Sequence, residues 1–152
     1  MKLLTRRDLT VALLSIAITC CAFAAADAKP GILGFTVYDW KTIPVQKTEV
    51  GEARQFFRAP TATLDQLEVH ATTLNPGFAS HPPHQHVNEE VIIVDQGTLD
   101  VFGNGVWKQV GPGSVIFNAS NSLHGVRNPG TEPVTYHVIS WFSPGMLKKA
   151  QP

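Results

Sequence analysis

Gly77-Phe-Ala-Ser-His81-Pro-Pro-His84-Gln-His86-Val-Asn-Glu89-Glu90-Val-Ile-Ile-Val-Asp-Gln-Gly97 is the stretch that decides the fold. Side chains two apart on an extended chain point to the same face. His84 and His86 therefore share a face, and Glu90 keeps their parity. Ile92 and Val94 continue that face into an apolar interior, while Glu89 and Val91 point outward. A third imidazole has to come from another strand, and His124 is the candidate. Three neutral imidazoles and a carboxylate form a good ligand set for a first-row divalent ion. In octahedral geometry they leave two adjacent positions open, which is what separates a reactive site from a structural one. The metal's two charges against one carboxylate leave about +1, suited to an anionic substrate oxygen.

Outward from this stretch, short strands and turns alternate. Gln66–Leu74 reads as a strand, followed by the turn Asn75-Pro-Gly77. Val91–Val94 is a short apolar strand. Thr98–Phe102 and Val106–Val110 form a hairpin about Gly103-Asn104-Gly105. Gly111-Pro-Gly113 turns the chain into Ser114–Phe117. Leu123–Arg127 and Val134–Phe142 are the last strands, separated by Asn128-Pro-Gly130. No window here has a 3.6-residue period, so the chain reads as an all-β sandwich or barrel.

These residues carry a resemblance. The stretch from Gly77 to Gly97 is similar to the first sequence motif of the cupin superfamily: a Gly, His-x-His, a Glu after three residues, and a Gly after six more. One extra residue stands between Gly77 and His84. A degraded second motif follows, with Gly113 as its leading Gly and His124 followed after three residues by Asn128. Its usual Pro and Gly are here Ala119 and Asn121. Asn121 is able to adopt the left-handed conformation that Gly provides. The resemblance covers about residues 66–143. It implies a single-domain cupin double-stranded β-helix, a jelly-roll barrel of the small type-2-like kind. It also implies one divalent ion (Mn, Fe, Ni, Cu or Zn) on His84, His86, Glu90 and His124.

Cupins include dioxygenases, isomerases, decarboxylases and lyases. The resemblance thus implies a metalloenzyme acting on a small oxygen-rich organic substrate, of dioxygenase or isomerase/lyase type. The alternative is a non-catalytic module that binds or senses a small molecule. His81, which begins the ligand-bearing segment, is the candidate for a catalytic, substrate-facing role, with a histidine on the rim as the plainer reading. Gln85 and Asn88 are candidates for fixing imidazole tautomers. His70 and His137 lie on strands whose inward face is open: either His137, Ile139 and Trp141 point in, or Tyr136, Val138 and Ser140 do. Phe78, Phe102, Phe117, Tyr136 and Trp141 are candidate pocket aromatics.

The bulk composition excludes other classes. The chain has 152 residues, length for one ordinary domain, and 43% hydrophobic residues, enough for a core. Its formal net charge is zero, so it has no basic field for nucleic acid. The two cysteines, Cys20 and Cys21, are adjacent and N-terminal, which leaves the remainder without a disulfide or thiolate ligand. No phosphate loop or nucleophile elbow is present.

Residues 1–28 read as a signal peptide. Lys2, Arg6 and Arg7 precede an apolar run from Leu9 to about Ala26, which ends in Ala24-Ala25-Ala26 and Ala26-Asp27-Ala28. Thr5-Arg-Arg-Asp-Leu9-Thr10 is similar to a twin-arginine signal. The expectation is an exported protein, periplasmic or secreted, whose mature form has no stable membrane insertion. The division expected is therefore signal peptide 1–28, N-terminal strands or arm 29–60, barrel 61–145 and tail 146–152. Phe35–Trp40 and Arg54–Arg58 are the expected short strands of the arm. The resemblance adds a homodimer, with the aromatic-rich segment 35–58 as the contact.

Overall fold

The chain's structure, a computed structural model, describes residues 31–150. The signal-peptide reading lies outside the described residues. The elements are β1 (Gln46–Thr48), β2 (Gly51–Ala59), β3 (Gln66–Leu74), β4 (Glu89–Gln96), β5 (Leu99–Gly103), β6 (Val106–Val110), β7 (Val115–Asn118), β8 (Gly125–Arg127), β9 (Val134–Phe142) and a short α1 (Met146–Ala150).

Period-two burial builds two antiparallel layers. One sheet runs β1-β2-β3-β9-β4-β7 and the other β6-β5-β8. Between them lie Leu74, Ile92, Val94, Leu99, Val101, Val126, Val134, Tyr136 and Val138. Each such buried side chain contributes about 1.5–3 kcal/mol relative to exposure. The open choice on β9 is thereby decided: Val134, Tyr136, Val138 and Ser140 are buried. His137 instead faces outward, against Trp40 and Phe56 at centroid distances of 5.7 and 5.9 Å.

The ladders fix which side chains share a row inside the barrel. Glu68 of β3, Ser140 of β9 and Glu90 of β4 are in register. His70, Val138 and Ile92 form the next row, and Thr72, Tyr136 and Val94 the one after. Strands lie about 4.8 Å apart. Glu68 and Glu90 thus start from backbones roughly 10 Å apart and point into the same interior.

Several expected elements differ from those observed. Phe35–Trp40 is not a strand but irregular chain leading into a turn. In that turn the Asp39 carboxylate accepts from the Lys41 N–H at 3.0 Å and its carbonyl accepts from the Thr42 N–H at 2.9 Å. The Asx-type turn satisfies backbone groups from Asp39 onward, and the stretch before it is exposed to water, with Phe35 and Val37 on the surface. Arg54–Arg58 does lie in a strand, β2, which pairs with β3. Regular pairing in the Leu123–Arg127 segment begins only at Gly125. Residues 146–150, expected as tail, form the turn of helix α1, entered through the Gly145 N–H donating to Asp65 Oδ2 at 2.7 Å. The hairpin turn is as expected, with Asn104 at φ 51° and Gly105 at φ 79°. Asn121 holds the left-handed conformation, at φ 59°.

Asn128 ties the lower end of the barrel. It is fully buried, its Nδ2 donates to the carbonyls of Leu74 (3.1 Å) and Glu132 (2.8 Å), and its Oδ1 accepts from the Gly130 N–H (2.9 Å). Asn128→Ala leaves buried backbone groups without partners, and denaturant melts should show a loss of about 2–3 kcal/mol. A loss below about 0.5 kcal/mol, the range of ordinary surface changes, would contradict this role.

Candidate metal centre

The segment bearing His84 and His86 is not a regular strand. His84 forms an isolated antiparallel bridge with His124, each donating its N–H to the other's carbonyl at 2.9 Å. Glycine is needed beside this bridge. A Cβ on Gly125 would lie 3.1 Å from the Pro83 Cα, closer than ordinary packing allows. Pro83 and Gly125 therefore let the two histidine backbones approach. His86 follows in irregular chain, and Glu90 is the second residue of β4.

The four expected ligands come together. The His84–His124, His86–His124 and His84–His86 ring centroids are 4.6, 4.7 and 5.2 Å apart. One nitrogen from each ring lies within 4.8 Å of the others, close enough to hold one metal ion. Glu90 reaches the same point, with Oε1 3.6 Å from His124 Nε2 and Oε2 3.8 Å from His86 Nε2.

The hydrogen bonds set the tautomers. His86 Nδ1 lies 2.8 Å from the Asn88 carbonyl and His124 Nδ1 lies 2.8 Å from the Ser122 carbonyl. A carbonyl only accepts, so each Nδ1 carries the proton and each Nε2 presents a lone pair toward Glu90. Asn118 Nδ2 donates to Glu90 Oε1 at 2.9 Å, which orients the carboxylate. His124 is 3% exposed, and its Nε2 has no partner; His84 Nδ1 is also buried without one. An unpaired buried polar nitrogen costs about 1–3 kcal/mol. Lone pairs and a carboxylate converging on one point, with orphaned nitrogens among them, is what a divalent cation satisfies. The residues present fit the ion.

Burial holds His84 below the ordinary imidazole range, and the neighbouring His81, His124 and His86 rings push the same way against the pull of Glu90. His84 is accordingly neutral near pH 7, the state a ligand requires. Burial likewise pushes the Tyr136 hydroxyl up to about 12, opposed by the Ser80 and Thr72 hydroxyls.

A cavity of about 210 Å³ opens from the ligands into the barrel, lined among others by His70, Ser80, His81, Glu90 and Tyr136. This lies below the roughly 300–1,000 Å³ of pockets that take drug-sized ligands. His81 is exposed at its rim, packed edge-on against His84 at 4.0 Å. Glu89 takes the opposite face of β4, where Trp141 Nε1 donates to its Oε2 at 3.1 Å. Of the candidate pocket aromatics only Tyr136 lines the cavity. Phe117 stacks on Trp141 at 6.4 Å, Phe102 packs on Trp107 at 5.2 Å, and Phe78 is exposed. Of the two tautomer candidates, Asn88 acts through its carbonyl rather than its side chain, and no hydrogen bond links Gln85 to a ligand.

Asn118 and Ser122 were not legible as site residues. The one available signal for Asn118 was a polar residue closing the apolar run Val115-Ile-Phe117; its register with Glu90 exists only once β4 and β7 pair. Ser122 contributes a backbone group, which leaves no trace in residue type.

Residues 70–140 match the family model described as Cupin domain. No curated protein gives a match. Among solved structures, an RmlC-like cupin from Shewanella frigidimarina aligns with a TM-score of 0.60 at 15% identity, over 75% of this chain and 96% of that one. A sugar phosphate isomerase of the cupin superfamily from Silicibacter pomeroyi aligns at 0.58 and 17%, over 72% and 77%. A predicted oxalate decarboxylase from Thermotoga maritima aligns at 0.57 and 17%, over 70% and 99%. The all-β cupin barrel is therefore the fold of this chain, and the domain match together with these structures supports the cupin superfamily. The cluster His84, His86 and His124 could hold a metal, as in cupins.

Asn118→Ala removes the donor that orients Glu90. Titration of the apo-protein with Zn(II) against a competing chelator should show affinity lower by about 10-fold or more. Unchanged affinity would detach Asn118 from the site.

Proposed function

We propose that this protein is a metal-dependent cupin enzyme acting on a small, oxygen-rich organic substrate, with one divalent ion on His84, His86, Glu90 and His124. The observation that carries this is the facing of Glu90 by two imidazole Nε2 lone pairs, one of them buried and unpartnered. When bound, the ion supplies Lewis acidity, or redox chemistry if it is Fe or Cu. The chain supplies the rest. Asn118, Ser122 and the Asn88 carbonyl fix the ligands, and the barrel's apolar wall of Ile92, Val126 and Val138 excludes bulk water. His81 stands at the mouth, where substrate enters. The isomerase and decarboxylase descriptions of similar folds support a reaction here without selecting one.

Residues 1–28 support export, and cleavage after Ala28 would leave 152 − 28 = 124 residues. A twin-arginine route carries folded proteins, so the cytoplasm would choose the metal before Cu or Zn could compete. The exposed Phe35 and Val37, 99% and 77% accessible, support a homodimer through the N-terminal segment.

Elemental analysis of the purified mature protein should find close to one equivalent of a single transition metal, and His84→Ala should lose it. Full occupancy in His84→Ala, or only sub-stoichiometric zinc in the wild type, would overturn the metal-centre reading. Oxygen uptake with small diols then separates a dioxygenase from a redox-silent isomerase, lyase or binder. Metal at about 100 times its dissociation constant should stabilise the fold by roughly 2.7 kcal/mol, and a chelator should reverse this.

A further inference from the structure

We propose that His70 is an acid–base group of this same cavity, on the β3 wall across from the ligands, and that Glu68 and Arg58 position it. The proposal rests on the metal-centre reading above. It begins from the ladders. Glu68 and His70 point inward from β3, two strands away from Glu90 and Ile92 on β4, with β9 between them. His70 lines the cavity together with Thr72, Ser80 and Tyr136.

Glu68 is 7% exposed, a buried carboxylate whose charge is answered on one oxygen by Arg58. Arg58 Nε donates to Oε2 at 2.7 Å. The other oxygen, Oε1, lies 3.3 Å from His70 Nδ1. The ring N–H is not aimed along that line, and Nδ1 has no other partner. Acid–base contacts are often loose before substrate binds, and a small rotation about the soft second side-chain torsion closes this one. Glu68 then holds the proton on Nδ1 and leaves Nε2 basic. The series runs from Arg58, 62% exposed at the barrel's edge, through buried Glu68 to half-buried His70 at the cavity wall. The charged and titratable groups around His70 are Glu68 on its own strand, Arg58 on β2 and Tyr136 on β9. Across the cavity stand His81, His84, Glu90 and His124.

The substrate class follows from the two walls. The ligand wall, with about +1 of charge when loaded, takes a carboxylate and an oxygen on the neighbouring carbon. The His70 wall faces whatever lies beyond that carbon. For a 2-oxo acid, neutral His70 Nε2 takes a proton from the carbon beside the carbonyl. The C–H electron pair forms a carbon–carbon double bond, and the carbonyl oxygen takes the negative charge. The imidazolium exchanges its proton with solvent and returns one to carbon as the double bond reverts to the carbonyl, which regenerates the neutral imidazole.

Pyruvate is the probe, used with the full-length protein loaded with Zn(II). Proton NMR in D₂O should show pyruvate binding and exchange of its methyl protons for deuterium. His70→Asn should keep zinc and pyruvate binding but lower exchange by about 100-fold or more. Free imidazole should restore part of the exchange in His70→Gly, which a structural role would not allow. Glu68→Gln should lower exchange by about 10-fold and alter its pH profile. 3-Bromopyruvate gives a second readout. His70 Nε2 should form a bond to its C3 as the C–Br bond breaks and bromide leaves, and mass spectrometry should place the adduct on His70. Pyruvate binding without exchange, exchange unchanged in His70→Asn, or an adduct on His81 alone would overturn the role of His70. Absence of zinc binding in the wild type would instead overturn the metal-centre reading, and this proposal with it; zinc binding without pyruvate binding would overturn the 2-oxo-acid proposal alone.

Discussion

The site depends on one backbone contact, the reciprocal pair of hydrogen bonds between His84 and His124. It joins two segments forty residues apart in sequence and sets their rings side by side. Pro83 against Gly125 permits the approach, and the turn at Asn121 delivers the second segment, its N–H bonded to the His86 carbonyl at 2.8 Å. Everything else in the centre is arranged around that clasp. β4 brings Glu90 from the large sheet, β7 brings Asn118 beneath it, and the loop carbonyls of Asn88 and Ser122 turn two imidazoles the same way.

The electrostatics follow from burial. A half-buried carboxylate facing two neutral nitrogen lone pairs is an unfavourable arrangement by itself, since like partial charges converge in a medium less polarisable than water. A protein tolerates such convergence where function requires it. The opposite wall shows the contrasting solution. There Glu68 is equally inward but answered by Arg58, and the residual capacity is turned toward His70. One barrel thus holds two carboxylates in a single row, one facing imidazole lone pairs and one paired with the largely exposed Arg58.

Much of this was legible in the sequence, for identifiable reasons. The barrel could be read because strands such as Gln66–Leu74 and Val134–Phe142 alternate cleanly and end in turns built from Gly, Pro and Asn. The clustering of His84, His86 and His124 beside Glu90 could be read from residue type and spacing, although strand parity gave that grouping for an incomplete reason: His84 is a lone bridge and His86 lies in irregular chain, so their common direction comes from the clasp. Asn121 could be read because few non-glycine residues enter the left-handed region easily. Phe35–Trp40 reads as a strand because aromatic and β-branched residues suit strands, yet the segment lies exposed and ends in the Asp39 turn. Inward orientation of His70 and Glu68, and the role of Asn118, needed register between strands distant in sequence, which composition does not encode.

The central claim is that three imidazoles and Glu90 share one metal ion. X-ray absorption spectroscopy of the protein loaded with one equivalent of Zn(II) tests it most directly. The account predicts a first shell with three imidazole nitrogens at about 2.0–2.1 Å and oxygen at about 2.0–2.2 Å. A shell of oxygen alone, or one with a single imidazole, would contradict it.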